Sequence, residues 1–460
     1  MGSKRPPPTP PLTIRKVRDR AAATDVGAEE HWICVDPALT DQPIRRFGAF
    51  TEDLIAAVAW CVELGVTSMA MEATGIYWRE LFSRLEEAGI EVMLVDPRRT
   101  RNPRGRKTDM QDCRWIWELH AHGLLDGAYV PPPEVQELRT YLRFRKTRIE
   151  RASMALKEVQ RALSMMNLKL QHVIADIGGA TGQAIIAAIL GGERNPRTLA
   201  TLRNYRCTAS EETLVKSLTG TWRTEHLFLL AQAHADYLQQ LQAIAACDQE
   251  LDRLIATLPQ RSHDDGSDLP PKRPTGKHDF GFDAQRASYR ITGVDLASID
   301  GIGPNTALSF LGEVGFDLSA WPTAKAFCCW LGLCPNPKRS GGKNHGNLPT
   351  TANRAAQMLK DAAMGLRGAK QNPLARYYAK LAVRRGSAQA LKAVAHKLAR
   401  IIYALFKSGS AYDRTKLVPP TSERTAKRTI QRLTAEAGKL GYSLQKTLVQ
   451  PFGQEGAASC

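Results

Sequence analysis

The sequence predicts a mixed α/β domain at the N-terminus, a long helical middle and a mainly α-helical C-terminal domain. Three observations carry this reading. Short β-rich runs alternate with helical patterns between about residues 24 and 133. After the Pro131-Pro132-Pro133 break the period changes to that of a long charged helix. From about 290 to 410, strong helices flank a loop rich in Gly, Pro and Asn. The resulting division is a disordered basic arm (1–21), an α/β domain (22–133), a helical coiled-coil domain (134–258), a flexible linker (259–288), a C-terminal domain (289–411) and a basic tail (412–460).

In the first domain, His31–Val35 and Pro43–Phe50 read as strands and Thr51–Leu64 as an amphipathic helix. Val66–Met71 reads as a buried strand, Tyr77–Ala88 as a helix, Ile90–Val95 as a strand and Asp109–Leu124 as a helix. An early meander followed by β-α-β units makes a mixed sheet with helices on its faces. Ala21-Ala-Ala-Thr24 is a poor strand by composition. In the middle, Glu134–Val173 carries Leu138, Leu142, Ile149, Met154, Leu156, Val159 and Leu163 at three- and four-residue steps, with His226–Leu258 as its expected antiparallel partner. The third domain opens with Leu296-Ala-Ser-Ile-Asp-Gly-Ile-Gly-Pro-Asn-Thr-Ala307, of which Ile174–Gly182 is a weak echo. It continues through the Leu333–Pro349 loop into helices at Thr351–Leu366 and Ala388–Phe406.

Charge narrows the partner. The chain has 63 Lys and Arg against 46 Asp and Glu, a net +17. Between Lys338 and Lys407 there are fifteen Lys or Arg and one acid, Asp361. A one-sign field of that size implies a polyanion, since solvated faces normally mix both signs. Nine scattered cysteines show neither zinc-ligand spacing nor a disulfide framework, so reduced thiols of a cytoplasmic, nucleoid-associated protein are expected. No run of apolar residues is long enough for a membrane span.

Four acids and one serine stand out. Glu72 closes an apolar strand, and Gly75 permits a sharp exit after it. Asp109 and Asp112, three apart at a helix start, share a face, although Asp109 is also a natural N-cap. Asp25, in Thr24-Asp-Val-Gly27, is the fourth, with Asp36 a rival at the end of the next strand. Clustered carboxylates of this kind suit hard divalent cations and phosphodiester chemistry. Ser340 precedes Gly341-Gly342 among Lys338, Arg339 and Lys343, a setting in which backbone N–H groups and cations meet a phosphate, whether the serine attacks it or only binds it. Gly301-Ile-Gly303 has the spacing of a helix-hairpin-helix turn or of an ordinary tight turn, and Lys360, Arg367, Arg384 and Arg385 are candidate phosphate contacts. Tyr377 and Tyr378 lack the Arg and His partners that a tyrosine nucleophile needs.

Asp25-Val-Gly27 followed by His31-Trp32, then Met71-Glu-Ala-Thr-Gly-Ile-Tyr-Trp78, then Gly105-Arg-Lys-Thr-Asp-x-x-Asp-Cys113, resembles the DEDD domain of the transposases of insertion-sequence family one-ten. The resemblance implies a RuvC-like variant of the RNase H fold for the first domain. It also implies Mg²⁺ ligation by Asp25, Glu72, Asp109 and Asp112, and a covalent phosphoserine formed by Ser340. It further implies a composite site built from more than one protomer of a homo-oligomer, with DNA as substrate and a structured bridge RNA as guide. The absence of an obvious base-reading motif agrees with delegation of specificity to base pairing. Two other readings stay open: a RuvC-like structure-selective nuclease using metal-activated water, which has no need of Ser340, and a non-enzymatic DNA-binding protein, which has no need of the acids.

Overall fold

The computed structural model describes residues 15–73, 75–100, 108–262, 266, 268–270, 276–335, 337–341, 343–347, 353–369, 371–417 and 423–445, with backbone alone at 98–99, 337–340, 343–347 and 423–429. The chain divides into two compact units, Met1–Pro132 and Pro133–Cys460.

The first unit contains β1 (Ala21–Val26), β2 (Glu30–Val35), β3 (Ile44–Gly48), α1 (Thr51–Glu63), β4 (Ser68–Glu72), α2 (Trp78–Glu87), β5 (Glu91–Val95), α3 (Pro97–Thr100) and α4 (Asp109–Ala121). Its five-stranded sheet has the order β3-β2-β1-β4-β5. The β1, β2 and β3 pairings are antiparallel, and β1, β4 and β5 run parallel. One face packs Ala22, Ile33, Met69 and Met71 against Leu54, Trp60, Leu81 and Leu85 of α1 and α2. The other packs Ala21, Ala23, Cys34 and Ala70 against Cys113, Ile116 and Trp117 of α4.

The alanine run that composition disfavours as a strand is therefore the central strand. Ala21, Ala22, Ala23 and Thr24 are completely buried. Small side chains let α4 settle directly on β1, and this packing overrides an intrinsic propensity worth only about 1 kcal/mol across its whole scale. Residues 15–20, assigned by composition to a disordered arm, are tied down. The Val17 and Arg18 amides donate to Ala121 O, and Lys16 pairs with Asp36 at 2.8 Å and lies over the Trp117 ring. Residues 1–14 lie outside the described residues.

The second unit begins with α5 (Pro133–Met165), which ends eight residues short of the expected Val173, where Asn167 adopts φ 57°. Then follow α6 (Ala180–Leu190), α7 (Pro196–Thr201), α8 (Glu211–Ser217) and α9 (Thr224–Thr257). Arg145 meets Asp248 and Arg148 meets Gln240, so α5 and α9 are antiparallel. Helices α6 to α8 close a separate core with the far ends of the pair, including Leu163, Ile185, Ile189, Leu214 and Leu230. Sequence periodicity shows only the long pair, because these three short helices each bury few residues.

The expected linker at 259–288 is largely packed where it is described. Arg145, 5% exposed at its side chain, donates to Asp248 Oδ1 (2.5 Å) and Oδ2 (3.2 Å), and its Nη2 also reaches His278 O and Asp279 O (3.1 and 3.0 Å). Its guanidinium lies 4.1 Å from the Phe280 ring centroid. A buried ion pair thus organises a segment whose composition alone reads as loose. Arg145→Ala leaves the Asp248 carboxylate buried and uncompensated, with an expected cost of about 3–5 kcal/mol. Urea unfolding checks this, and Arg145→Met combined with Asp248→Leu is expected to recover most of the loss.

The remaining elements are α10 (Ala284–Thr292), α11 (Pro304–Val314), α12 (Ala324–Trp330), β6 (Pro337–Ser340), β7 (Lys343–Asn347), α13 (Arg354–Gly365), α14 (Pro373–Arg385), α15 (Ser387–Ser408) and α16 (Glu423–Lys439). The expected loop at Leu333–Pro349 contains the β6–β7 hairpin, and the expected basic tail contains α16. Among the described residues no helix is long and apolar enough to cross a membrane.

Candidate functional site

Asp25 and Glu72 stand at the carboxyl ends of neighbouring parallel strands. The β1–β4 register ends at Thr24 opposite Met71, which leaves Asp25 and Glu72 as the next residues of each strand. By strand alternation Asp25 follows Ala21 and Ala23, and Glu72 follows Ser68 and Ala70, onto the face covered by α4. Glu72 is held in place by Thr100 of α3, whose buried Oγ1 donates to Glu72 Oε2 at 2.8 Å. The chain turns away soon after β4 through Gly75 at φ 58°.

Helix α4, which packs on the same face of the sheet, carries the other two acids in its first turn. Trp117 Nε1 donates to Ala21 O (3.0 Å), and the Cys113 thiol reaches Ala23 O (3.4 Å) and Trp32 O (3.0 Å). Four residues of helix advance about 6 Å and two residues of strand about 6.6 Å. The ladder of Trp117 over Ala21 and Cys113 over Ala23 thus runs toward the carboxyl end of β1 as α4 runs back toward its amino end at Asp109. Burial pushes the Cys113 thiol well above its ordinary pKa, and the charges of Cys34 and Asp25 add to the shift, in keeping with a thiol beside the Asp25 carboxylate. The cap of α4 is Thr108, whose hydroxyl accepts from the Gln111 amide, so Asp109 is the first helical residue rather than the N-cap. Helix capping does not account for its acid. Asp25, Glu72 and Asp112 are half-buried and Asp109 is exposed.

Asp36, the rival acid, lies elsewhere. Its neighbour Val35 pairs with Ala22, so Asp36 sits at the amino end of β1, and both its oxygens accept from Lys16 at 2.8 Å. Hydrogen bonds from Lys16 and the Ala38 amide outweigh burial and hold its carboxyl below the usual range. Two residues outside the quoted motifs stand near these acids: Thr100, and Asp96, one residue past β5 beside the Glu72–Val95 pair. Among the described residues, no three carboxylate, imidazole or thiol groups stand close enough to hold a metal ion. The acids thus lie about the carboxyl ends of β1 and β4 and the start of α4 without forming a closed metal cage among the described residues.

The docking of α4 is itself pH-sensitive. His120 is buried, shares a 3.1 Å hydrogen bond with Ser68 Oγ, and is driven down to about 4, first by burial and then by the charge of Arg18. A folded pKa below the unfolded value of about 6.5 means that the unfolded chain takes the proton first as pH falls. Stability is full above about pH 6.5, and about 3 kcal/mol is lost by pH 4. Urea midpoints at pH 7.5 and 5 are expected to differ less in His120→Gln than in the unsubstituted chain.

In the second unit, Ser340 is the last residue of β6, paired with Lys343 across a two-residue turn in which Gly341 has φ 56°. Its backbone therefore stands at the tip of a hairpin, flanked in sequence by Lys338, Arg339 and Lys343. Gly301 adopts φ 83°, and a Cβ there would collide with Leu366 and Ala362 O of α13, so close packing already demands this glycine. Gly303 differs: it precedes α11 as an N-cap, with no side-chain cap and open space where a Cβ would point. Arg367, Arg384 and Arg385 are exposed and Lys360 is half-buried, and none of them forms an ion pair among the described residues. Tyr378 is buried and bonded to Ser387, consistent with a core role.

Two family comparisons match this arrangement. The DEDD transposase model of the IS110 group matches residues 22–167, which span the sheet, α4 and α5. A model described as Transposase IS116/IS110/IS902 family matches residues 295–379, from the Gly301 turn through the Ser340 hairpin into α14. The chain belongs to the IS110 transposase family. It is accordingly a DNA-processing enzyme of insertion sequences, with DNA as its partner. No curated protein matches this transposase.

Proposed function

We propose that this transposase cuts and rejoins DNA with Ser340 as nucleophile and with Asp25, Glu72, Asp109 and Asp112 as ligands of Mg²⁺. The observation that supports the reading is that Asp25 and Glu72 end adjacent parallel strands on the sheet face against which α4, beginning at Asp109, is packed. A sheet of order β3-β2-β1-β4-β5, with β1 antiparallel to β2 and parallel to β4, supports a RuvC-like variant of the RNase H fold for residues 22–133. Mg²⁺, when bound, supplies positive charge to a phosphodiester under attack.

The chain's own residues do the rest. Thr100 fixes one Glu72 oxygen, while Cys113 and Trp117 hold α4 against β1, so the acids are presented on rigid elements. Attack by Ser340 forms a bond from its oxygen to phosphorus as a phosphorus–oxygen bond to a sugar breaks. The sugar hydroxyl leaves with a proton, and its later attack on the phosphoserine reverses the step on a new strand. Lys338, Arg339, Gly341 and Lys343 provide cations and a backbone N–H beside that phosphate. Gly301, Gly303, Lys360, Arg367, Arg384 and Arg385 bind DNA backbone within the transposase domain at 289–411. The helical, coiled-coil domain at 134–258 and the RuvC-like domain form the platform for a bridge RNA, in a dimer or tetramer whose protomers share active sites.

The test incubates the protein with DNA carrying its own element junction, the element's noncoding RNA and Mg²⁺, and then resolves the products on a denaturing gel. A covalent protein–DNA adduct that requires both RNA and metal is the expected outcome. Metal-dependent cleavage without any adduct would leave the structure-selective nuclease.

A further inference from the structure

A cavity of about 270 Å³ opens in the second unit where α11 and α13 meet α5. Gly312 of α11 makes the approach possible, since a Cβ there would collide with Leu142 of α5. The cavity is lined by Arg139, Arg143, Arg145, Lys146 and Arg354 against a single carboxylate, Glu313. Glu313 is already engaged: Arg143 grips both its oxygens at 2.9 and 2.7 Å, while Arg139 donates to the Gly312 and Glu313 carbonyls. Lys146 and Arg354 are exposed and form no ion pair among the described residues. The lining also includes the apolar side chains of Leu142, Ile149, Phe280 and Met358.

Arg354 adds an independent pointer. It is the first residue of α13, whose first turn carries no acid. A cation at the positive end of a helix dipole is unfavourable unless an anion binds between them. His278, also on the lining, has a lowered pKa because of burial and the charges of Lys277 and Arg145, in keeping with a positive potential in the cavity.

We infer that this cavity holds one nucleotide unit of a single nucleic-acid strand, its phosphate met by Lys146, Arg143 and Arg354 and its base by the apolar side chains of the lining. A volume just under the usual range of ligand pockets is far too small for a duplex and is on the scale of one unstacked nucleotide. Exposed cations beside apolar and aromatic side chains are the pairing that single-strand sites use. The site rests on the family's nucleic-acid function but not on the serine or the metal.

The experiment uses full-length Ser340→Ala protein in EDTA, so that neither cleavage nor metal binding enters. Fluorescence anisotropy with short single-stranded RNA and DNA oligonucleotides is combined with ultraviolet crosslinking and peptide mapping. Lys146→Glu with Arg354→Glu is expected to weaken strand binding about tenfold or more and to abolish crosslinks to the peptides carrying Phe280 and Ile149. Lys146→Arg with Arg354→Lys is expected to keep both. Lys416→Glu with Lys439→Glu makes the same charge change at exposed positions elsewhere in the unit and is expected to keep the crosslinks. Unchanged crosslinks in the Lys146/Arg354 reversal would overturn the site. Adenosine monophosphate that binds in a Lys146- and Arg354-dependent way, while strand binding stays unaltered, would overturn the strand assignment. Because the readout is binding alone, failure here leaves the serine and carboxylate chemistry standing, and failure of that chemistry leaves this site to be judged separately.

Discussion

Ser340→Ala is expected to abolish the covalent protein–DNA adduct and to lower strand exchange by about 10³-fold or more, while leaving DNA and RNA binding nearly unchanged. The serine ends β6 beside a two-residue turn, so the variant is expected to keep the fold, which circular dichroism checks. The three flanking cations, Lys338, Arg339 and Lys343, remain to bind phosphate, which separates loss of the nucleophile from loss of affinity. Denaturing gels with labelled junction DNA measure the adduct, and gel shifts measure binding. An undiminished adduct in the variant would transfer the nucleophile elsewhere. Equal loss of binding and cleavage would reduce Ser340 to a phosphate contact.

Glu72→Gln is expected to lower cleavage by about 10²-fold or more, equivalent to about 2.7 kcal/mol of lost transition-state stabilisation. Glutamine keeps an oxygen able to accept from Thr100 Oγ1, so the end of β4 stays in place and only the charge is lost. Asp25→Asn and Asp112→Asn are expected to behave alike, and chelation of Mg²⁺ to match them. Asp36→Asn is the contrast: it breaks the pair with Lys16, which is about a third exposed, and costs roughly 1 kcal/mol or less of stability with cleavage retained. If Asp36→Asn abolished cleavage while Asp25→Asn did not, the carboxylate corner would be wrongly drawn.

The two acid motifs around Glu72 and Asp109 are legible because their chemistry is local. An acid closing an apolar strand, and two acids one turn apart at a helix start, can be read without a fold. The sheet was largely legible for the same reason: β2, β4 and β5 alternate or run apolar over their own lengths. Strand β1 was not, since Ala21 and Ala23 declare themselves only against α4, roughly ninety residues away in the chain, and Ala22 only against α1 and α2 on the other face. The hairpin under Ser340 was hidden by its Gly, Pro and Asn content, which composition equates with loop.

The sequence by itself determined the family, the basic C-terminal stretch, the long helical pair and the identity of the candidate acids and serine, all properties of residues close together in the chain. Only the tertiary structure decided that Asp25 rather than Asp36 stands beside Glu72, because the β1–β4 register selects the carboxyl ends of parallel strands. Tertiary contacts also decided that Asp109 is left uncommitted by capping, that Phe280 is packed beneath Arg145, and that five cations of α5 and α13 line one cavity. Each of these turns on contacts between segments far apart in the chain, or on a neighbouring cap, whose energies outweigh the local preferences that composition records.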